Sequence, residues 1–189
     1  MPRCGWAGDD PLYIDYHDTE WGVPERSDEA LFEKLILEGF QAGLSWITIL
    51  RKRENFRRAF EGFDPEKIVR FDEAKIESLM GDAGIIRNRK KIEAATMNAR
   101  AFLDMRDNGE NLSSFFWDAV DGTALDGKRG CLKDVPSETP LSKSLSKELK
   151  RRGFKFVGPV TVYAHMQAMG LVNDHVMTCP RYEAVAQMR

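Results

Sequence analysis

The sequence has no run of about 18 apolar residues, so nothing in it reads as a membrane span. No apolar stretch follows Met1-Pro2-Arg3-Cys4; without a secretory leader the expected compartment is the cytoplasm. Cysteine is scarce. Three cannot close a disulfide set, so free or metal-bound thiols are expected. Sustained alternation of apolar and polar residues is missing, which excludes a sheet-dominated fold and leaves an all-α reading. Internal repeats, low-complexity tracts and an interdomain linker are also missing. At roughly 100–200 residues per domain, residues 1–189 are therefore read as one domain. The composition, 42% hydrophobic and 31% charged, excludes global disorder. There is little net charge: 28 Lys and Arg against 30 Asp and Glu give −2, which by itself argues against a nucleic-acid partner.

The charge is unevenly spread, however. Residues 1–38 hold ten acids and three bases, a net of −7, so the remainder, with 25 bases and 20 acids, carries +5. The later bases cluster at Arg51-Lys52-Arg53 with Arg57-Arg58, at Arg87, Arg89, Lys90 and Lys91, and from Lys143 to Lys155. Such clusters can neutralise backbone phosphates whatever the total charge, or they can be solvated helix faces.

Several helix boundaries are legible. Ser27-Asp28-Glu29 gives a hydroxyl cap followed by acids that suit the positive end of a helix dipole, and the helix runs to about Phe40. A Gly43-Leu44-Ser45 turn leads to a second helix from Trp46 to about Phe60. Asp64-Pro65-Glu66 and Asp72-Glu73 open two more. Gly84 breaks the pattern, and a helix resumes from about Asn88 to Met105. Residues 106–113 and 121–137 read as loops. Helices follow over Leu141–Arg152 and Pro159–Met169, stopped by Gly153 and Gly170.

Four residues form a candidate metal set. Cys4 and His17 lie near one end of the chain, and His175 and Cys179, with three residues between them, near the other. Two thiolates and two imidazoles complete a tetrahedral Zn²⁺ site with no position left for water, a structural rather than a catalytic arrangement. No CxxC pair is present, so the spacing alone also allows unrelated residues. Cys131 and His165 fall outside the set, Cys131 as a loop or core thiol and His165 as a hydrogen-bonded helix residue.

The first 46 residues contain Trp6, Tyr13, Tyr16, Trp21, Phe32, Phe40 and Trp46, including three of the four tryptophans. Aromatics at this density make a core, or a pocket that stacks flat bases and needs a polar group to read the base edge. Glu38 is the candidate for that group. It shares the apolar stripe of Leu31 and Leu35, where a carboxylate is costly unless it is paired or used. Lys34, four residues before it, is the available partner. Leu44, at the tip of its turn, either packs back on the core or wedges into a base stack. Gly81-Asp82-Ala83-Gly84-Ile85-Ile86-Arg87, followed by Lys90 and Lys91, looks like a helix–hairpin–helix turn that offers backbone N–H groups to a phosphate, although the usual second glycine is Ile86 here.

Taken together, Arg3-Cys4-Gly5-Trp6, Asp10-Pro11-Leu12-Tyr13, Tyr16-His17-Asp18, Glu20-Trp21-Gly22-Val23-Pro24, Leu37-Glu38-Gly39, Gln41-Ala42-Gly43-Leu44-Ser45-Trp46, Asp82–Arg87, Arg152–Gly158 and Val172-Asn173-Asp174-His175 resemble the bacterial DNA-3-methyladenine glycosylase I family of helix–hairpin–helix DNA glycosylases. The resemblance implies an all-α fold of two helical lobes with the active-site cleft between them and a helix–hairpin–helix at about 73–104. It implies one structural zinc on Cys4, His17, His175 and Cys179, joining segments 1–20 and 170–182. It implies a base pocket of Glu38, Tyr13, Tyr16 and Trp46 with Trp6 and Trp21 close by, and DNA contacts from Gly43, Leu44, Gly84, Arg87, Lys90 and Lys91. The implied activity is monofunctional hydrolytic excision of N3-methyladenine from double-stranded DNA, by a monomer working at the bacterial nucleoid. Asp104 and Asp107, the nearest acids after the hairpin, are given no catalytic role. A zinc-stabilised DNA-binding module without activity is the alternative.

Overall fold

The computed structural model describes residues 2–188. Ten α-helices and one two-stranded sheet lie among them, so the mostly helical reading holds. The helices are α1 (Pro11–Thr19), α2 (Asp28–Gln41), α3 (Trp46–Ala59), α4 (Pro65–Ile68), α5 (Glu73–Gly81), α6 (Arg89–Asp107), α7 (Leu112–Trp117), α8 (Pro140–Arg151), α9 (Pro159–Ala168) and α10 (Pro180–Ala186). The helix starts follow the capping chemistry. The Ser27 hydroxyl accepts from Ala30 N, the Asp72 carboxylate from Lys75 N, and the Asn88 side-chain carbonyl from Lys91 N. The pattern did not announce α1. Only Tyr16 and His17 of its nine residues are buried, so it has no apolar stripe to read. The loop expected at 106–113 is shorter, because α6 runs to Asp107 and α7 begins at Leu112.

The core forms around α2. Nine of its fourteen residues are buried, which makes it a helix covered on nearly every side. It packs against α3, α6, α7 and α9. Phe32 meets Phe102 with ring centroids 4.9 Å apart, and Phe40 meets Phe56 at 4.8 Å. Each such ring contributes about 1.5–3 kcal/mol by burial. The cover over α2 explains how Lys34 and Glu38 come to lie inside the molecule.

The loop at 121–137 carries a two-residue strand, β1 (Leu125–Asp126), paired in parallel with β2 (Val172–Asn173). Two residues are too few to show a period of two. The buried Asp174 ties this loop down. It accepts from Arg129 Nε at 2.8 Å, from the Tyr163 hydroxyl at 2.6 Å and from Gln167 Nε2 at 2.9 Å. At the end of α9, Gly170 takes φ +74°, and a Cβ there would lie 2.4 Å from Pro24 N. Gly22 N donates to Ala168 O at 3.2 Å and Glu25 N to Met169 O at 3.1 Å, so residues 22–25 are anchored along this turn.

Two expectations about lone residues resolve differently. Cys131 is an exposed loop thiol. His165 is fully buried, yet neither ring nitrogen has a hydrogen-bond partner, contrary to the sequence reading. Its ring packs on Phe116 at 4.6 Å, and burial, with the Lys34 charge adding to it, pushes its pKa down to about 3. His165 is therefore a neutral core ring.

Candidate active site and metal centre

Trp6, Tyr13, Tyr16, Trp21, Glu38 and Trp46 all line one cavity of about 390 Å³, within the size range of small-molecule sites. Tyr13 and Tyr16 come from successive turns of α1, and Trp46 is the first residue of α3. Trp21 follows α1, and Trp6 sits in a short turn before it. Trp6 is the hub: its ring centroid lies 4.9 Å from that of Tyr13, 5.0 Å from Trp21 and 6.4 Å from Tyr16. Tyr16 in turn lies 5.5 Å from Trp46. The Trp46 indole N–H has no protein acceptor.

Glu38 is 5% exposed and is the acid of α2 that reaches this cavity. Lys34 Nζ is 3.2 Å from its carboxylate, donates to the Tyr16 hydroxyl at 2.7 Å and lies 3.2 Å from the Trp46 ring centroid. Burial pushes the Glu38 carboxyl upward, and the Lys34 ammonium opposes this. Burial likewise pushes Lys34 down to about 8, with Glu38 opposing. The sequence alternatives of pairing and of facing a pocket are both realised, because the carboxylate does both. Lys34 itself lines a second cavity of about 300 Å³, which shares Tyr16 and Trp46 with the first.

Cys4, His17, His175 and Cys179 converge, all buried, with their donor atoms within 4.8 Å of one another. Cys4 Sγ is 3.6 Å from His175 Nδ1, and Cys179 Sγ is 3.6 Å from His17 Nε2 and 3.9 Å from His175 Nδ1. A tetrahedral zinc with its usual bond lengths requires S···N edges of about 3.5 Å, so the donor set fits. The outward nitrogens are engaged as metal-ligating imidazoles require. His17 Nδ1 is 2.7 Å from Asp18 Oδ1, which Arg3 holds, and His175 Nε2 is 3.0 Å from Trp21 O. Burial pushes the Cys4 thiol up to about 12, so a thiolate here needs a cation to balance it. The cluster abuts the pocket: the His17 ring is 5.2 Å from Trp6 and the His175 ring 4.6 Å from Trp21.

Residues 6–182 match the methyladenine glycosylase family model. The chain belongs to the methyladenine glycosylase family. DNA-3-methyladenine glycosylase 1 of Escherichia coli K12, a member of it, is 54% identical over 182 residues, covering 96% of this chain and 97% of that protein. A crystal structure of a 3-methyladenine DNA glycosylase I superposes with a TM-score of 0.93 at 52% identity, covering 95% and 98% of the two chains. A single-residue variant of such a glycosylase in complex with 3-methyladenine gives 0.91 at 39% identity, covering 95% and 97%.

The residues expected to touch DNA in a glycosylase of this family lie on two turns. Leu44 is 42% exposed between α2 and α3, so it does not pack back on the core. Gly84 sits between α5 and α6, its N–H donating to Asp82 Oδ1 at 2.7 Å. Arg87 and Lys90 are exposed beside it. Lys91 departs from the expectation. It is buried, and its ammonium donates to Phe40 O at 2.9 Å and Ala42 O at 2.7 Å, so it caps α2 instead of standing free on the surface. The basic clusters are likewise less free than composition implied. Arg53 pairs with Glu20, Arg57 with Glu33 and Glu54, Arg89 with Glu73 and Glu77, and Arg152 with Glu110 and Glu148.

The sequence reading missed half of the cavity wall, namely Gln41, Leu132, Val135, Ala164, Gln167 and Asp174. Gln41 and Asp174 fall inside stretches that carried the resemblance, and Gln41 is three residues after Glu38 on α2, which puts both on one face. Ala164 and Gln167 share a face of α9 in the same way. Leu132 and Val135 belong to the loop at 121–137, where no local pattern marked them.

Proposed function

We propose that this chain excises N3-methyladenine from double-stranded DNA by base flipping and hydrolysis, leaving an abasic site. The observation that carries the reading is the cavity itself, of a size for a purine: five aromatic side chains around the buried Glu38 carboxylate, the other buried acid of the wall, Asp174, being taken up by Arg129, Tyr163 and Gln167. Methylation at N3 makes adenine cationic and weakens its bond to the sugar, so the enzyme has mainly to extract, recognise and hold the base. Flipping costs a few kcal/mol, and less for a damaged base. Leu44, at its exposed turn, fills or distorts the gap. Trp46 stacks on the flipped base, and electron-rich rings favour a cation by very roughly 0.5–2 kcal/mol. Glu38 accepts hydrogen bonds from the adenine edge. Water oxygen bonds to C1′ as the C1′–N9 bond breaks; the electron pair leaves with the base as neutral 3-methyladenine, and the water releases a proton.

The turn between α5 and α6 serves as the helix–hairpin–helix, with Gly84, Arg87 and Lys90 on the phosphate backbone and the cleft between two helical lobes of a single domain. Zinc, held by Cys4, His17, His175 and Cys179, cross-links the two end segments. The protein works as a monomer in the cytoplasm, at the nucleoid. Incubation with methylated duplex DNA followed by chromatography of the released bases tests the excision. Free 3-methyladenine at background, with DNA still bound, would leave a DNA-binding module instead. Glu38→Gln should lower excision roughly ten- to hundred-fold, the effect of losing a charged hydrogen bond of about 1.5–3 kcal/mol.

A further inference from the structure

Lys34 is a charged residue without an evident reason to be in the core. The ammonium touches three elements of the cavity wall at once: the Glu38 carboxylate at 3.2 Å, the Tyr16 hydroxyl at 2.7 Å and the Trp46 ring centroid at 3.2 Å. It does so from the neighbouring cavity, which it lines together with Glu20, Glu33 and Arg53; only Tyr16 and Trp46 line both cavities. Its position therefore leaves the base cavity open while its charge acts through the wall.

Among the described residues the buried carboxylate has no second cation. Glu38 forms one ion pair, with Lys34. The groups that face this pair from neighbouring elements are Tyr13, Tyr16 and Glu20 from α1 and just beyond it, Arg53 from α3, His165 from α9, and, across the cavity after β2, Asp174, which Arg129 holds. Arg53 is held by Glu20, at 2.5 and 2.9 Å, and His165 is a neutral ring. A neutral carboxylic acid would offer the adenine edge one donor in place of a second acceptor, so the role of Glu38 requires the anion.

We propose that Lys34 is a positioning residue for excision: from behind the pocket wall it holds Glu38 as an aimed carboxylate anion and fixes the Tyr16 hydroxyl and the Trp46 ring beside it. The inference rests on the excision reading above. Lys34 does not touch the base; its effect passes through the three groups it holds, and the pH profile reads the part carried by the Glu38 charge.

The test is the pH profile of single-turnover 3-methyladenine release from methylated duplex DNA, from pH 5 to 9. Lys34→Met keeps the volume and removes the charge. It should move the acid limb of the profile up by at least one pH unit, so that release on that limb falls about ten-fold below the parent's and recovers at alkaline pH. The sign follows from burial. A carboxyl without its ammonium protonates at higher pH, and the anion is lost as pH falls through that value. Lys34→Arg should keep the acid limb within 0.3 units of the parent. An unmoved acid limb in Lys34→Met, whether with full activity or with a uniform loss at every pH, would overturn the proposal. If Lys34→Met does not fold, Lys34→Gln with the same readout decides it. A parent protein that released no 3-methyladenine at any pH would overturn the excision reading, and the inference with it.

Discussion

Gly170→Ala should destabilise the protein and distort the pocket from a distance. The native φ of +74° would cost an alanine roughly 1–2 kcal/mol. The added Cβ would also lie 2.4 Å from Pro24 N, 2.5 Å from Val23 C and 2.6 Å from Pro24 Cα, all backbone atoms that cannot rotate away. Residues 22–25 must therefore shift, and the bonds from Gly22 N to Ala168 O and from Glu25 N to Met169 O are lost or stretched. At about 0.5–1.5 kcal/mol each, with the backbone strain, the loss comes to about 2–5 kcal/mol. For a domain of this size that lowers Tm by roughly 4–20 °C. Thermal and urea unfolding followed by circular dichroism measure it. Gly109→Ala is the control: its φ is +77° but nothing lies within 4 Å of the new Cβ, so only the strain should appear. The displaced segment adjoins Trp21, whose carbonyl meets His175 Nε2 and whose ring packs on Trp6, so base excision should fall as well. If Gly170→Ala lost no more stability than Gly109→Ala, residues 22–25 would not be anchored as described and the reasoning would fail.

Metal analysis should find one equivalent of zinc per chain, and chelation should lower Tm by roughly 8–16 °C, the equivalent of about 4 kcal/mol for a metal present at a thousand times its Kd. Less than a fifth of an equivalent, with Tm indifferent to chelator, would count against the metal. Leu44→Ala should leave stability within about 0.5 kcal/mol, because the side chain is 42% exposed. It should nevertheless slow excision from duplex DNA several-fold more than from a single-stranded oligonucleotide. Equal effects on the two substrates would remove Leu44 from the flipping step.

The parts of the fold that were legible in the sequence are those with local chemistry behind them. Ser27, Asp64, Asp72 and Asn88 each start a helix because a side-chain oxygen can accept from a backbone N–H two or three residues on, a relation visible in the chain itself. α1 carries the same signal, with the Asp10 carboxylate accepting from Leu12 N and Pro11 as its first residue, but without an apolar stripe to follow it the cap alone did not mark a helix. In the site, the six residues first named share one wall, yet resemblance rather than spacing brought Trp6 and Trp21 into the set. Asp174 lay in a recognised stretch, but its role was not legible because its Arg129 partner comes from the loop at 121–137 folding back onto β2, a long-range event without a local signature. Lys91 shows the opposite error. It follows the exposed Lys90 in a basic run, and only the tertiary structure turns its ammonium inward.

That inward lysine has a mechanical consequence. Lys91 belongs to the first turn of α6, directly after the turn that carries Gly84 and Arg87, and it grips the two carbonyls just ahead of Gly43 and Leu44. The two loops proposed to face DNA are thereby bolted to a common frame. A phosphate seated at one loop and a base pair pried open at the other would stand a set number of ångströms apart. The protein would act on the duplex as a fixed-gap gauge: the phosphate it seats would set which nucleotide stands at the wedge, and the pocket would then read that nucleotide's chemistry.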